Sequence, residues 1–248
     1  MKIAVCVNHV PDTAAKITIL PDGKGIETTG VSFIINPYDE YAVEEALRMK
    51  EKSGGEVIVV SVGPEQNKET IRKVLAMGAD EGILLKVNSG IDSFGVAKLL
   101  ADEIKNINCR VVFFGKQSVD YDNSIVGQIT AAILDYNCIS NCVSLSIDGE
   151  KVNAETEIEG GREVVVSGLP IVITAQKGLN EPRYPTLKGI MAAKKKNITE
   201  KNVDIPEPKI ETVRLKNPSE KKPGRVLGSD ASVVPELIKL LKEEAKVI

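Results

Sequence analysis

Two polar segments carry the residue types from which a binding site is built. One is Asn36-Pro37-Tyr38-Asp39, and the other runs Gly115-Lys116-Gln117-Ser118-Val119-Asp120-Tyr121-Asp122-Asn123-Ser124. Gly115 lets a backbone approach a ligand closely. Asn123 and Ser124 are suited to cap a helix expected over 123–135, whose free N–H groups favour an anion. Asp120 and Asp122 repel a phosphate at short range, so their chemistry is to hold ribose hydroxyls or to order the loop. The same residues are also what an ordinary polar β–α loop with a helix cap requires, and Asn36 and Asp39 are what a capping sequence requires. Spacing alone leaves both readings open.

Other chemistry is poorly supplied. The chain has neither G-x-G-x-x-G nor G-x-x-x-x-G-K-[ST], the usual phosphate fingerprints. No serine or cysteine sits in a nucleophile motif, and a single histidine, His9, leaves little for a triad. Cys6, Cys109, Cys138 and Cys142 form no C-x-x-C pair, so they read as reduced thiols of the interior, with no metal site and no catalytic residue expected.

These segments must be positioned by the elements around them. Short apolar runs at 2–8, 56–62, 82–87 and 110–115 alternate with amphipathic stretches, which predicts parallel strands with helices on both faces. In 37–52 the apolar Val43, Ala46 and Leu47 fall on one helical face, with Asn36 placed as N-cap and Pro37 at the first helical position. The fold class expected is α/β, a doubly wound, mostly parallel sheet of order 3-2-1-4-5. Ligands bind such a sheet outside the carboxyl ends of the strands where the order reverses, which is where "VCVNHV" and "FFGKQSVDYDNS" end. Val62 closes the second strand and by itself is only a strand residue. Asp148-Gly149 signals a hairpin, and 169–176 reads as a further strand of the main sheet. The long stretch 179–196, with two prolines and a closing Lys194-Lys195-Lys196, reads as a surface loop. Residues 200–225 are polar and aperiodic and lead into an amphipathic helix at the C-terminus. That arm either wraps a partner or is a loose terminus. The domain division expected is 1–199 for the α/β domain and 200–248 for the arm.

With 248 residues, 42% hydrophobic and 27% charged, the chain has the composition of an ordinary globular protein. A net charge of −3 gives no nucleic-acid footprint. No apolar run is long enough for membrane insertion, and the opening residues enter a strand-like run instead of a secretory signal. The expected location is therefore cytoplasmic.

The segments "NPYDEYAVEEALRMKE", "LAMGADEGILL", "GKQSVDYDNSIVGQ" and, above all, "LNEPRYPTLKGIMAAKKK" resemble the beta subunit of electron-transfer flavoproteins over nearly the whole chain. The resemblance implies an electron-carrier subunit, not a self-sufficient enzyme, within a heterodimer whose alpha subunit carries FAD in a mobile domain. It implies an AMP site in this chain, replaced by a second FAD in electron-bifurcating members. Carried over by position, the nucleotide contacts fall on Cys6, on Asn36, Pro37, Tyr38 and Asp39, on Val62, and on Gly115, Lys116, Gln117, Ser118, Val119, Asp120, Tyr121, Asp122, Asn123, Ser124, Ile125 and Val126. The stretch 179–196 matches the loop that docks flavin dehydrogenases such as acyl-CoA dehydrogenases. Leu187 is its anchor, and Tyr184, Pro185, Ile190 and Met191 surround it. A quinone reductase is the implied acceptor downstream.

The residues after "GKQ" match neither branch of the family cleanly. "NPYDEYA" and "VPDTA" (10–14) are shared with bifurcating members, whereas "LNEPRYPTLKGIM" follows the non-bifurcating branch. AMP is the expected ligand and FAD the alternative. A nucleotide-sensing stress-type protein is a further class with this fold, and the docking stretch and the arm speak against it.

Overall fold

The computed structural model describes residues 1–88, 90–219 and 223–248. The strands are β1 (Lys2–Cys6), β2 (His9–Pro11), β3 (Phe33–Ile35), β4 (Glu56–Gly63), β5 (Glu81–Lys86), β6 (Val111–Gly115), β7 (Asn137–Asp148), β8 (Lys151–Ile158), β9 (Gly161–Gly168), β10 (Ile171–Ala175) and β11 (Ile198–Asn202). The α-helices are α1 (Pro37–Ser53), α2 (Asn67–Met77), α3 (Ser93–Ile107), α4 (Val126–Leu134), α5 (Leu187–Ala193) and α6 (Val234–Leu240).

Nine strands form one sheet in the order β11-β5-β4-β1-β6-β10-β7-β8-β9, and β2 pairs with β3 in a small antiparallel sheet. Its centre, β5-β4-β1-β6-β10, is wholly parallel and has the 3-2-1-4-5 order that the alternating pattern predicts. Both faces of these strands are covered, so β1, β4, β6 and β10 are apolar on both sides. Ile3, Val5, Val57, Val59 and Phe113 pack beneath α1 and α2, while Ala4, Ile58, Val60, Val112 and Phe114 pack beneath α3 and α4.

Beyond this centre the sheet grows at both edges. β7 and β8 meet in the hairpin expected at Asp148-Gly149, with Asp148 opposite Lys151 and Gly149 in the left-handed region. A second hairpin adds β9, which the sequence reading missed. Val164 and Val166 are exposed and only Val165 between them packs against the core, so β9 carries little of the burial that marks the central strands. β11 adds the other edge, parallel to β5. It straddles the 199/200 division, so the polar stretch begins in sheet structure.

The arm beyond β11 is not loose along its first part. The Asp92 carboxylate accepts from the backbone N–H groups of Lys209 (2.7 Å) and Ile210 (2.9 Å) as well as from Gly95 N–H. Leu215 N–H donates to the Gly23 carbonyl, and Lys24 pairs with Glu211. Residues 220–222 of the polar stretch lie outside the described residues. The expected C-terminal helix appears as α6 followed by a π-helical turn at Leu241–Ala245. Among the described residues no helix is long and apolar enough to cross a membrane.

Candidate functional site

β1, β4 and β6 deliver their carboxyl ends side by side, and the segments after them meet there. The junction is held by one carboxylate. Asp39, in the first turn of α1 and 6% exposed, accepts from Asn8 N–H (2.8 Å), from Asn36 Nδ2 (2.9 Å) and from Gly115 N–H (3.1 Å). These donors come from the ends of β1, β3 and β6, so Asp39 ties the crevice together. Asn36 occupies the N-cap position of α1 as expected, but neither its side chain nor that of Asp39 forms a capping hydrogen bond. Asn36 instead reaches across, donating to the Gln117 carbonyl (2.8 Å) and accepting from Val119 N–H (3.2 Å). Pro37 occupies the first helical position as predicted.

Burial pushes the Asp39 carboxyl up, the hydrogen bonds from its three donors pull it part of the way back, and the Asp120 charge adds a smaller upward push, leaving it at about 7. Desolvation, the larger effect, outweighs the hydrogen bonds.

Asn8 is the residue that sequence reasoning missed. Its Nδ2 donates to Ser118 Oγ (2.8 Å) and to Asp120 Oδ2 (3.0 Å), which binds the β6 loop to the end of β1. The available signal was a polar side chain closing an apolar run at the strand where the sheet order reverses. Gly115 is required by contact: a Cβ there would lie 2.4 Å from Asp39 Oδ1 and 2.7 Å from the Tyr38 backbone.

Around the rim, the Lys116 ammonium stands 5.2 Å from the Tyr38 ring centroid. Gln117 donates to Asp122 Oδ1 (2.6 Å) and accepts from Ser124 Oγ (2.9 Å). Asp122 and Ser124 both adopt left-handed backbone (φ 52° each), a conformation that costs free energy unless the loop dictates it. Tyr121 is exposed. The helix expected from residue 123 begins instead at Val126, with Ile125 at the N-cap and no side-chain cap. Asn123 donates to Ser93 Oγ at the start of α3 instead, so neither it nor Ser124 caps α4. The first-turn amides of α4 thus have no side-chain cap, and Gln128 Oε1, in the same turn, is buried without a hydrogen-bond partner.

Two predicted positions offer less. The Cys6 thiol is buried in the interior beneath α3 and α4, and burial raises its pKa, so only its backbone can meet a ligand. The Val62 carbonyl already accepts from Asn67 Nδ2 (3.2 Å).

The sequence signature described as "Electron transfer flavoprotein domain" matches residues 24–206. Across its full length the chain is 38% identical to "Electron transfer flavoprotein subunit beta" of Bacillus subtilis and 40% identical to that of Bradyrhizobium diazoefficiens, covering all of both relatives. It is 40% identical to the same subunit of Mus musculus, covering 99% of it. The chain belongs to the electron transfer flavoprotein beta-subunit family. The resemblance read from the four segments is thereby confirmed.

In this beta-subunit-family chain the stretch 179–196 is more ordered than a surface loop. It contains α5, whose N-cap Thr186 accepts from Gly189 N–H (3.0 Å). Tyr184 (92%) and Leu187 (85%) are almost fully exposed, Ile190 and Met191 are exposed, and Pro185 is half-buried. The lysine run is divided. Lys194 and Lys195 face solvent, whereas Lys196 donates to the carbonyls of Leu75 and Ala79 at the end of α2.

Proposed function

We propose that this chain is the beta subunit of a heterodimeric electron carrier. It binds AMP in the crevice at the ends of β1, β4 and β6, supports an FAD-carrying alpha subunit, and docks flavin dehydrogenases through Leu187. The observation that carries the reading is the convergence on Asp39 and Asn8 of the segments 36–39 and 115–120, beside the uncapped first turn of α4. That turn suits a phosphate. The exposed Asp120 and Asp122 carboxylates suit the donors of a nucleoside. When bound, such a nucleotide supplies no redox chemistry; the residues here hold and orient it. An FAD would bring redox chemistry to the same crevice.

The docking role draws on the exposure of Tyr184, Leu187 and Met191 on ordered backbone, because large apolar side chains presented together mark interaction sites. The alpha-subunit role draws on α6, where Val234, Leu237 and Ile238 form an i, i+3, i+4 row with about 43–45% of each residue exposed. Electrons taken from the dehydrogenase would leave toward a quinone reductase.

The second reading, a bifurcating subunit with its own FAD and electrons from NADH, draws on "NPYDEYA" and "VPDTA". Denaturing the purified heterodimer and separating the released nucleotides distinguishes them. AMP and FAD in equal amounts is the expected result. Two FAD and no AMP overturns the AMP reading and favours bifurcation.

A further inference from the structure

The stretch that carries Leu187 leaves the end of β10 and returns at β11 on the far edge of the sheet, so it crosses over α1 and α2. A connection of this length is ordinarily mobile. Here it is fastened on both sides of its exposed tip.

On the entry side the fastening is to α1. Asn180 Nδ2 donates to the Tyr41 carbonyl (3.0 Å) and to Glu45 Oε2 (2.9 Å). Arg183 spans two carboxylates of the same helix. Its Nε and Nη2 donate to the two oxygens of Glu44 (2.8 and 3.1 Å), its own backbone N–H donates to Glu44 (3.2 Å), and the other edge of the guanidinium pairs with Glu51. The Glu44 side chain is only 3% exposed. Burial raises its pKa, and the hydrogen bonds from Arg183 and Arg48 more than reverse this, holding the carboxyl ionised below its ordinary range. The exit side is fastened to α2. Arg72 donates to the carbonyls of Ala193 and Lys196, and Lys196 donates back to the end of α2.

The planar fork of Arg183 is what permits this geometry, since a lysine has no second edge with which to reach Glu51 while holding both oxygens of Glu44. A segment ordered in this way before it meets a partner loses less conformational freedom on docking. We propose that Arg183 is a positioning residue for docking: by bridging Glu44 and Glu51 it holds α5 and Leu187 in the geometry a partner receives. The proposal rests on the docking role given above to Leu187.

The test uses the purified heterodimer. Arg183→Ala leaves the buried Glu44 carboxylate short of a partner and is liable to misfold. The informative variant is therefore Arg183→Met combined with Glu44→Gln, which removes both charges together, with Arg183→Lys as the conservative control. Hydrogen exchange is read at the amides of 187–193, and docking by titration against an acyl-CoA dehydrogenase. In the double variant, exchange in α5 should accelerate about tenfold or more while the interior strands are unchanged. Docking should weaken about three- to tenfold, with Arg183→Lys intermediate. Leu187→Ala should cost less in the double-variant background than alone, because its anchor is already displaced. Unchanged exchange in α5, or accelerated exchange with unchanged docking, overturns the positioning role alone. Equal docking by Leu187→Ala and the unmodified chain overturns the docking role itself, and the positioning role with it.

Discussion

Replacing Asp39 by asparagine keeps the shape of the residue that joins β1, β3 and β6 and removes its titration. The wild-type carboxyl, ordinarily near 3.8, is moved by burial to about 7, so ionising it in the folded chain costs about 4 kcal/mol. Asparagine has one acceptor oxygen for three donors. Each stranded or opposed donor costs about 1–3 kcal/mol. At pH 8 these two effects nearly cancel, and the variant should melt close to wild type.

The balance changes on acidification. The folded pKa lies above the unfolded one, so folded protein takes up the proton first. The stability contributed by Asp39 is therefore complete below about pH 4 and is lost as pH rises through 7. From pH 8 to pH 5 the wild type gains about 2–3 kcal/mol from this group, and the asparagine variant gains none. At about 2–4 °C per kcal/mol for a chain of this size, the gap in melting temperature should open by roughly 5–10 °C. Taking the difference between the two proteins at each pH cancels His9, whose pKa burial lowers, and the exposed carboxylates. The assay is thermal melting of both proteins, freed of nucleotide, at pH 5, 6, 7 and 8. A gap that stays flat, or that closes on acidification, refutes a buried carboxyl of raised pKa at this junction.

Gly115→Ala should lower stability by about 1–3 kcal/mol and weaken nucleotide retention, because its Cβ would press on the Tyr38 backbone and on Asp39. Denaturant unfolding together with nucleotide content checks both. Lys196→Ala should lower stability by about 1–2 kcal/mol through lost bonding to the end of α2, seen as a melting temperature lower by roughly 2–8 °C. Lys194→Ala with Lys195→Ala should leave melting unchanged and slow association with a dehydrogenase only at low salt. Identical melting of the two lysine variants would contradict the division of the run.

The sheet centre was legible in the sequence because a parallel strand buried on both faces must be a short continuous apolar run, and its covering helices must repeat every three to four residues. Those are local signatures. The Asp148-Gly149 turn was legible for the same reason, since a left-handed glycine is a property of one residue. The stretch 179–196 was recognisable as a motif, yet α5 within it was not, because its large apolar residues Leu187, Ile190 and Met191 are exposed and the side that packs on α2 is made of Gly189 and Ala193, too small to print an apolar period. Only the tertiary structure decided what the polar residues bind. Asn8 meets Asp120 across 112 positions and Arg183 meets Glu44 across 139, and no local pattern can record such a pairing. It also decided that the side chains of Asn36 and Asp39 tie strands together instead of capping α1, and that Lys196 holds the end of α2 while Lys194 and Lys195 face water. A polar side chain takes whichever partner the fold brings within reach, and at the crevice that partner comes from another strand.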